Sequence, residues 1–274
     1  MNRILRVLAL SLLVICMQIA VAQPIKRVVS LAPSLTMNLY YLKAQDRLVG
    51  CTSYCEIAKK DKKTIVATAV KVNIEKVASL KPDLVITTGL TDPETLESLR
   101  KLGIKVEVFH TAKTFADICT QFLYLGKLLG KEAEANKVVA KSKADVERLR
   151  KQCVGKTHPK IFFQIGAKPI FVVLPHTFMD DYITFCGGTN IAADLTKGTM
   201  TKESVLERNP DVVFVTSMGI VGEDEKKVWA SYPQLSAAKK KQIYVIDSNF
   251  ACTPTPVSFA LTFEAIAKHI ISGK

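Results

Sequence analysis

Short apolar runs alternate with segments whose apolar positions recur every three or four residues, first between Pro24 and His110 and again from Lys160 to Ile271. The first pattern reads as buried strand and the second as amphipathic helix. Arg27-Val-Val-Ser-Leu31 is a short strand, Ala32-Pro-Ser34 a turn, and Leu35 to Leu42 a helix. Leu84-Val-Ile-Thr-Thr88 is apolar on both faces, as a strand inside a parallel sheet must be. Asp92 followed by Pro93 opens a helix, because the proline lacks only an N–H that a first helical turn leaves unused. Leu96, Leu99 and Leu102 form that helix's expected inner stripe, and Lys105 to Phe109 returns to strand. Strand alternating with helix predicts a mainly parallel sheet with right-handed crossovers.

From Thr114 to Cys153 the helical period persists, with a break expected at Gly130. Phe115, Ile118, Phe122, Leu125 and Leu129 make an apolar stripe, whereas Lys131 to Lys151 is highly charged with sparse apolar positions. A helical connector of this kind resists bending, so large hinge closure is not expected. Strand, helix and strand then resume: Lys160 to Ile165, a helix over Phe178 to Phe185 stopped by Cys186-Gly-Gly188, and a last strand at Gln242 to Ile246. The closing helix, Val257 to Ile271, carries Phe259, Phe263, Ile266 and Ile270 on its core face.

One helix–strand unit occurs twice. Asn73-Ile-Glu-Lys-Val-Ala-Ser-Leu-Lys-Pro-Asp-Leu-Val-Ile-Thr-Thr88 returns as Thr201-Lys-Glu-Ser-Val-Leu-Glu-Arg-Asn-Pro-Asp-Val-Val-Phe-Val-Thr216, at a constant offset of 128 residues. Solenoid repeats have periods of about 20–50 residues, so this spacing predicts two related lobes instead. The expected class is α/β: two pseudo-symmetric lobes with mainly parallel sheets, a long helical connector and a ligand cleft between them. The expected division is a signal peptide over 1–22, an N-terminal lobe over 23–112, the connector over 113–153 and a C-terminal lobe over 154–274.

The first residues bear on location. Arg3 and Arg6, an apolar stretch from Val7 to Val21 and Ala20-Val-Ala22 before Gln23 fit an export signal and its cleavage site. Cys16 follows Ile15, which is not the small residue a lipid-anchoring signal requires, so an exported, periplasmic protein is expected with lipid anchoring the lesser alternative, and sequence does not choose between soluble and tethered. Loss of the two arginines lowers the formal charge from +13 to +11. Runs such as Lys59-Lys60-Asp61-Lys62-Lys63 lack interleaved aromatics, so a solvated lysine-rich face fits better than a nucleic-acid groove, and no nucleic-acid partner is expected. Cys51, Cys55, Cys119, Cys153, Cys186 and Cys252 remain after cleavage, and sequence does not choose among their pairings. The Cys51-x3-Cys55 spacing matches zinc sites poorly. No Gly-x-Ser-x-Gly, phosphate loop or His-Glu-x-x-His occurs, so catalysis finds no support in the chain.

Five motifs then fall in one order: Arg27-Val-Val-Ser-Leu-Ala-Pro-Ser34, Asp46-Arg-Leu-Val-Gly50, Asn73-Ile-Glu75 with Leu80-Lys-Pro-Asp-Leu-Val85, Cys186-Gly-Gly-x-Asn190, and Tyr232-Pro-x-Leu235. With these the chain resembles the periplasmic solute-binding proteins of ABC importers for vitamin B12, iron-siderophores and haem. The resemblance implies a binding protein and not an enzyme. It further implies no resident cofactor and no metal site, and a monomer that delivers a small molecule to the transmembrane subunits of an ABC permease. It implies a cleft lined by Ser30, Pro33, Ser34, Tyr54, Thr88, Gly166, Phe171, His176, Asn249 and Phe250, with Phe163 a further aromatic. Glu75 and Glu203 are implied as permease-docking carboxylates, one per lobe. The loop Thr52-Ser-Tyr54 and the stretch Phe163 to Phe171 are similar to those of corrinoid-binding members, so the expected ligand is cobalamin or another corrinoid-type metal chelate. An iron-siderophore or haem is the alternative, and an exported metal-ion binding or ligand-sensing protein a weaker one.

Overall fold

The computed structural model describes residues 24–68, 71–153, 158–216 and 221–272; the expected signal peptide lies outside the described residues. The first lobe runs β1 (Val28–Ser30), α1 (Pro33–Tyr41), β2 (Leu48–Thr52), α2 (Glu56–Lys60), β3 (Thr64–Ala67), α3 (Ile74–Ser79), β4 (Leu84–Thr88), α4 (Pro93–Lys101) and β5 (Val106–Phe109). Its five strands pair in parallel in the order β3-β2-β1-β4-β5. The connector is α5 (Phe115–Leu128) and α6 (Glu132–Cys153), broken where Gly130 takes the left-handed conformation at φ 61°. A side chain at that φ would be strained, which is why glycine ends the first helix there.

The second lobe follows as β6 (Lys160–Ala167), β7 (Ile170–Val172), α7 (Asp180–Phe185), β8 (Thr189–Asn190), β9 (Thr199–Met200), α8 (Lys202–Arg208), β10 (Val212–Thr216), α9 (Val221–Ala230), α10 (Ser236–Lys239), β11 (Ile243–Ile246), α11 (Ser248–Ala251) and α12 (Pro256–Ser272). Its six-stranded sheet has the order β11-β10-β6-β7-β9, with β8 beside β6. Pairing is mainly parallel here too, in β10–β11, β10–β6 and β6–β8, while β6–β7 and β7–β9 are antiparallel. The reversal arises at Ala167-Lys-Pro-Ile170, a tight hairpin hidden from a reading that looked for strand–helix alternation.

The duplicated unit keeps its geometry. Asn73 and Thr201 cap their helices, accepting from Lys76 N–H at 2.8 Å and Ser204 N–H at 3.2 Å. Lys81 and Asn209, equivalent residues, both take left-handed conformations where those helices end. The shared Pro-Asp pair has a structural role: Asp83 accepts from the N–H groups of Lys26 and Arg27, and Asp211 accepts from Lys160 N–H, at 2.7, 2.8 and 3.1 Å. Each aspartate thus fixes the start of its lobe's central strand.

The cores divide by strand face, since successive side chains point to opposite sides of a sheet. Val28, Leu84, Ile86, Ile161, Phe163, Val212 and Phe214 join one continuous core with the connector and α12. Val29 and Val85 pack outward with Val77 and Leu99, and Phe162, Val213 and Val215 pack outward with Trp229 and Val205. The connector stripe is as expected, with Phe115, Ile118, Phe122, Leu125 and Leu129 all buried. Leu102 is not: it sits past the last turn of α4 and is 56% exposed, because the helix ends at Lys101. Likewise α7 starts at Asp180 and not at Phe178.

Asp181 ties α7 to the connector by accepting from Phe115 N–H at 2.7 Å. Burial, opposed by that hydrogen bond, holds its carboxyl above the usual carboxylate range. A folded-state value above the unfolded one means that the folded protein binds the extra proton. The stability from this group is therefore full below the unfolded value of about 4 and lost as pH rises through the raised folded value. Asp181→Asn keeps an acceptor for Phe115 N–H and should remove that decline. Urea unfolding across the acidic range should show wild type losing stability relative to the variant as pH rises, and parallel profiles would contradict this.

Candidate functional site

The carboxyl ends of the strands of an open parallel sheet are where its ligands bind, because helix N-termini and loops converge there. In this protein the loops after β1, β4, β5 and β11 meet at one place. A cavity of about 360 Å3 is lined by Pro33, Ser34, Thr88 and His110 of the first lobe, by Gln121 of the connector, and by Phe178 and Cys252 to Pro254 of the second lobe. A neighbouring cavity of about 300 Å3 shares Ala32, Pro33, Thr88 and Leu90 with it and extends past Tyr54 to Asp92. The second lobe adds a hollow of about 420 Å3 at the ends of β6 and β10, bounded by Gly166, Lys168, Thr216 and Glu225.

Several apolar side chains are exposed, Tyr54 and Leu90 on the cavity walls, Phe171 across from Gly166 and Phe250 two residues before Cys252. Tyr54 is 61% exposed, Leu90 91%, Phe171 44% and Phe250 37%. Burial of such side chains against a ligand would remove much apolar area from water. Gly166 is what lets Phe171 lie where it does: the two are cross-strand partners, and a Cβ on Gly166 would sit 2.8 Å from the Phe171 ring. The polar lining is mostly neutral. The amide oxygen of Asn38, 4% exposed on the cavity floor, has no hydrogen-bond partner among the described residues. Among the described residues no arginine lines any of these three cavities.

The expected residues fall into distinct groups. Pro33, Ser34, Tyr54 and Thr88 line the first-lobe wall, and Gly166 lines the second-lobe hollow. Phe171 is exposed beside Gly166, while Asn249 and Phe250 are exposed on α11 two residues before the cavity wall begins. His176 is exposed in the loop before Phe178, at φ 61°, and lines none of the three cavities. Ser30 is fully buried: it donates to Ala32 O at 3.1 Å and accepts from Thr36 at 2.8 Å, so it shapes the turn beneath the cleft. Phe163 does not reach the cleft; it is 1% exposed, against Tyr182 and Phe214, because its place on β6 points it to the shared core. Trp229 is buried, its Nε1 donating to Gln164 at 2.7 Å.

Asn38, Gln121 and Phe178 were not anticipated from sequence. Phe178 and Gln121 belong to segments read as plain helix, and only the lobe arrangement turns them toward the groove. Among the described residues no group of three His, Cys, Asp or Glu side chains could hold a metal ion, and no helix is long and apolar enough to cross a membrane.

Glu75 and Glu203 are exposed, each two residues past its helix cap. A helix that runs antiparallel to its following strand places its N-terminus at the strand's carboxyl end, so both carboxylates stand at the cleft edge of their lobes. Glu75 borders a groove of about 620 Å3 that shares Ala67, Thr68, Lys71 and Val72 with the Tyr54 cavity. Hydrogen bonds from its own backbone N–H and from the Thr201 hydroxyl hold Glu203 below the usual carboxylate range.

Comparison with known proteins agrees with this architecture. The chain is 29% identical over 241 residues to the ABC transporter substrate-binding lipoprotein YvrC of Bacillus subtilis, covering 84% of this chain and 76% of that one. It is 28% identical over 237 residues to the vitamin B12-binding protein of Vibrio cholerae, covering 85% of each. The crystal structure of periplasmic vitamin B12 binding protein BtuF of Vibrio cholerae superimposes with a TM-score of 0.78 at 26% identity, over 90% of this chain and 97% of that one. Residues 28–250 match the periplasmic binding protein family, and with two lobes facing each other across an open groove the chain belongs to it.

Proposed function

We propose that this protein captures a corrinoid, cobalamin or a close relative, in the groove between the lobes at 23–112 and 154–274, and hands it to an ABC permease. The reading rests on one observation above the rest: the groove offers exposed rings and neutral hydrogen-bonding groups. Tyr54, Phe171 and Phe250 supply faces for a flat macrocycle. Ser34, Asn38, Gln121 and Thr253 suit a ligand rimmed with amides, since a buried amide oxygen without a donor is costly until a ligand N–H satisfies it. A haem or an anionic siderophore would need cations for its carboxylates, and among the described residues the cavity linings offer Lys71 and Lys168 beside the acidic Asp92, Asp224 and Glu225. Pro33, Thr88 and Gly166 shape the walls; Ser30 supports the turn; Asn249 and His176 stand at the rim.

The lobes share one core with the connector, so the groove is largely preformed and little ordering opposes binding. Glu75 and Glu203 would seat the loaded protein on basic pockets of two permease subunits, as matched charges on related lobes suit a symmetric partner.

Titration calorimetry and absorption spectra with cyanocobalamin, cobinamide and hemin test the ligand. The expected result is a dissociation constant below micromolar for at least one corrinoid. Tyr54→Ala and Phe171→Ala should each weaken it by about 1–3 kcal/mol, roughly five- to 150-fold. Flat heats with both corrinoids alongside tight hemin binding would replace this reading with haem capture.

A further inference from the structure

The lysines of the first lobe find no use in the groove, yet they share one place. The five strands of that lobe are parallel, so their amino ends lie along a single edge of the sheet, the edge away from the groove. A lysine precedes each strand: Lys26 before β1, Lys43 before β2, Lys62 and Lys63 before β3, Lys81 before β4 and Lys105 before β5. In the strand order β3-β2-β1-β4-β5 they form a row about 20 Å long, at about 4.8 Å per strand. All but Lys63 are exposed.

Three of these lysines stand where the backbone favours another residue. Lys43, Lys62 and Lys81 each follow a helix end in the left-handed conformation, at φ 52°, 55° and 45°. At the same position after α4 and α5 the chain has Gly103 and Gly130, the low-strain choice. The last turn of α2 already carries Lys59 and Lys60 to complement the helix dipole, so Lys62 and Lys63 are surplus to that role. Most acidic residues at this edge are engaged. Asp61 accepts from the Tyr40 hydroxyl at 2.6 Å, Asp83 from the N–H groups of Lys26 and Arg27, and Glu134 pairs with Lys43 at 3.2 Å, while Asp46 stands exposed.

At one end of the row Leu102 is 56% exposed, between Lys101 and Lys105. Lysines are point charges on flexible stems, and together with an apolar neighbour they suit mobile headgroups over an apolar interior. The exposed rings that protein interfaces favour lie elsewhere: Tyr54, Phe171 and Phe250 by the groove, and Tyr124 against Phe109 at the carboxyl end of β5.

We propose that this edge of the first lobe is a docking surface for a membrane rich in anionic lipid. The lysines meet the phosphate headgroups and Leu102 enters the interface. The groove, at the other end of the strands, then faces away from the bilayer and stays open to ligand.

The test is cosedimentation with vesicles of phosphatidylcholine alone, or of phosphatidylcholine and phosphatidylglycerol in a three to one ratio. The protein should sediment with the anionic vesicles at about 0.05 M salt, stay in solution with the neutral ones, and be released at about 0.5 M salt. Lys43→Asn/Lys62→Asn/Lys81→Asn should weaken binding about fivefold per lysine, about 100-fold in all. That variant should melt no lower than wild type, because asparagine tolerates the left-handed conformation. Lys197→Gln/Lys239→Gln/Lys241→Asn removes the same charge from exposed sites of the second lobe and should cost less than about threefold, since charges beyond a Debye length are screened. Equal sedimentation with both kinds of vesicle, or equal losses from the two variants, would overturn the proposal. Capture by polyglutamate without vesicle binding would overturn it too and assign the row to an acidic protein. Neither ligand nor permease enters the measurement, so its outcome is separate from the reading of the groove.

Discussion

Charge reversal at both Glu75 and Glu203 is expected to abolish ligand uptake while leaving ligand affinity within about twofold of wild type. Both side chains are exposed at equivalent positions, and neither contributes to the cavities that hold Pro33, Tyr54 or Thr88. Reversal therefore acts on an encounter between surfaces and not on the groove. Their helices should survive, because Asn73 and Thr201 supply the caps and Val77 and Val205 the buried contacts. Each single reversal should leave a residual rate, since one matched pair still orients the complex. The Gln pair should fall between, having lost attraction without gaining repulsion. Uptake is read as transported corrinoid in cells and affinity by calorimetry on the purified variants. Loss of affinity in the double variant would refute the docking role, and so would undiminished uptake.

Phe259→Ala should destabilise the whole molecule by about 3–5 kcal/mol, the range for a large aromatic removed from a packed core. Phe259 is fully buried and stacks on Phe115 at 4.3 Å and on Tyr182 at 4.5 Å, with Phe185 edge-on at 6.0 Å. Those rings belong to the connector, to α7 and to the closing helix, so one truncation empties the junction of three elements. Neighbouring rings cannot collapse into the gap without leaving their own partners: Tyr182 also contacts Phe163, and Phe185 packs against Phe263 and under the Arg150 guanidinium. Phe259→Leu should cost less, because volume is largely kept. For a chain of this size the alanine variant should melt about 6–20 °C lower, read by calorimetry. A shift below about 2 °C would mean that the junction carries little of the stability.

Several features were open to reading in the chain. The duplicated unit from Asn73 and Thr201 revealed two related lobes, because caps, apolar spacing and Pro-Asp recur together and each has a local physical cause. The stripe from Phe115 to Leu129 and the glycine at 130 revealed a broken helical connector for the same reason. What stayed hidden depended on contacts distant in sequence. Phe163 and Phe171 are both aromatic residues near one hairpin, yet one faces the shared core and the other stands free; strand register decides between them, and the Gly166 opposite Phe171 was the only local hint. Ser30 sits at a strand end where a ligand contact was expected, but Thr36 and Ala32 occupy its hydroxyl.

By itself, then, the amino-acid order determined most element types, the twofold kinship of the lobes, the helical link and the acidic residue that heads each repeated helix, since periodicity, capping and turn chemistry act over a few neighbours. Tertiary structure alone decided which loops border the groove and that Asn38, Gln121 and Phe178 face it. Those outcomes depend on how two sheets dock on one pair of helices, and that docking is set by side-chain packing between segments more than a hundred residues apart.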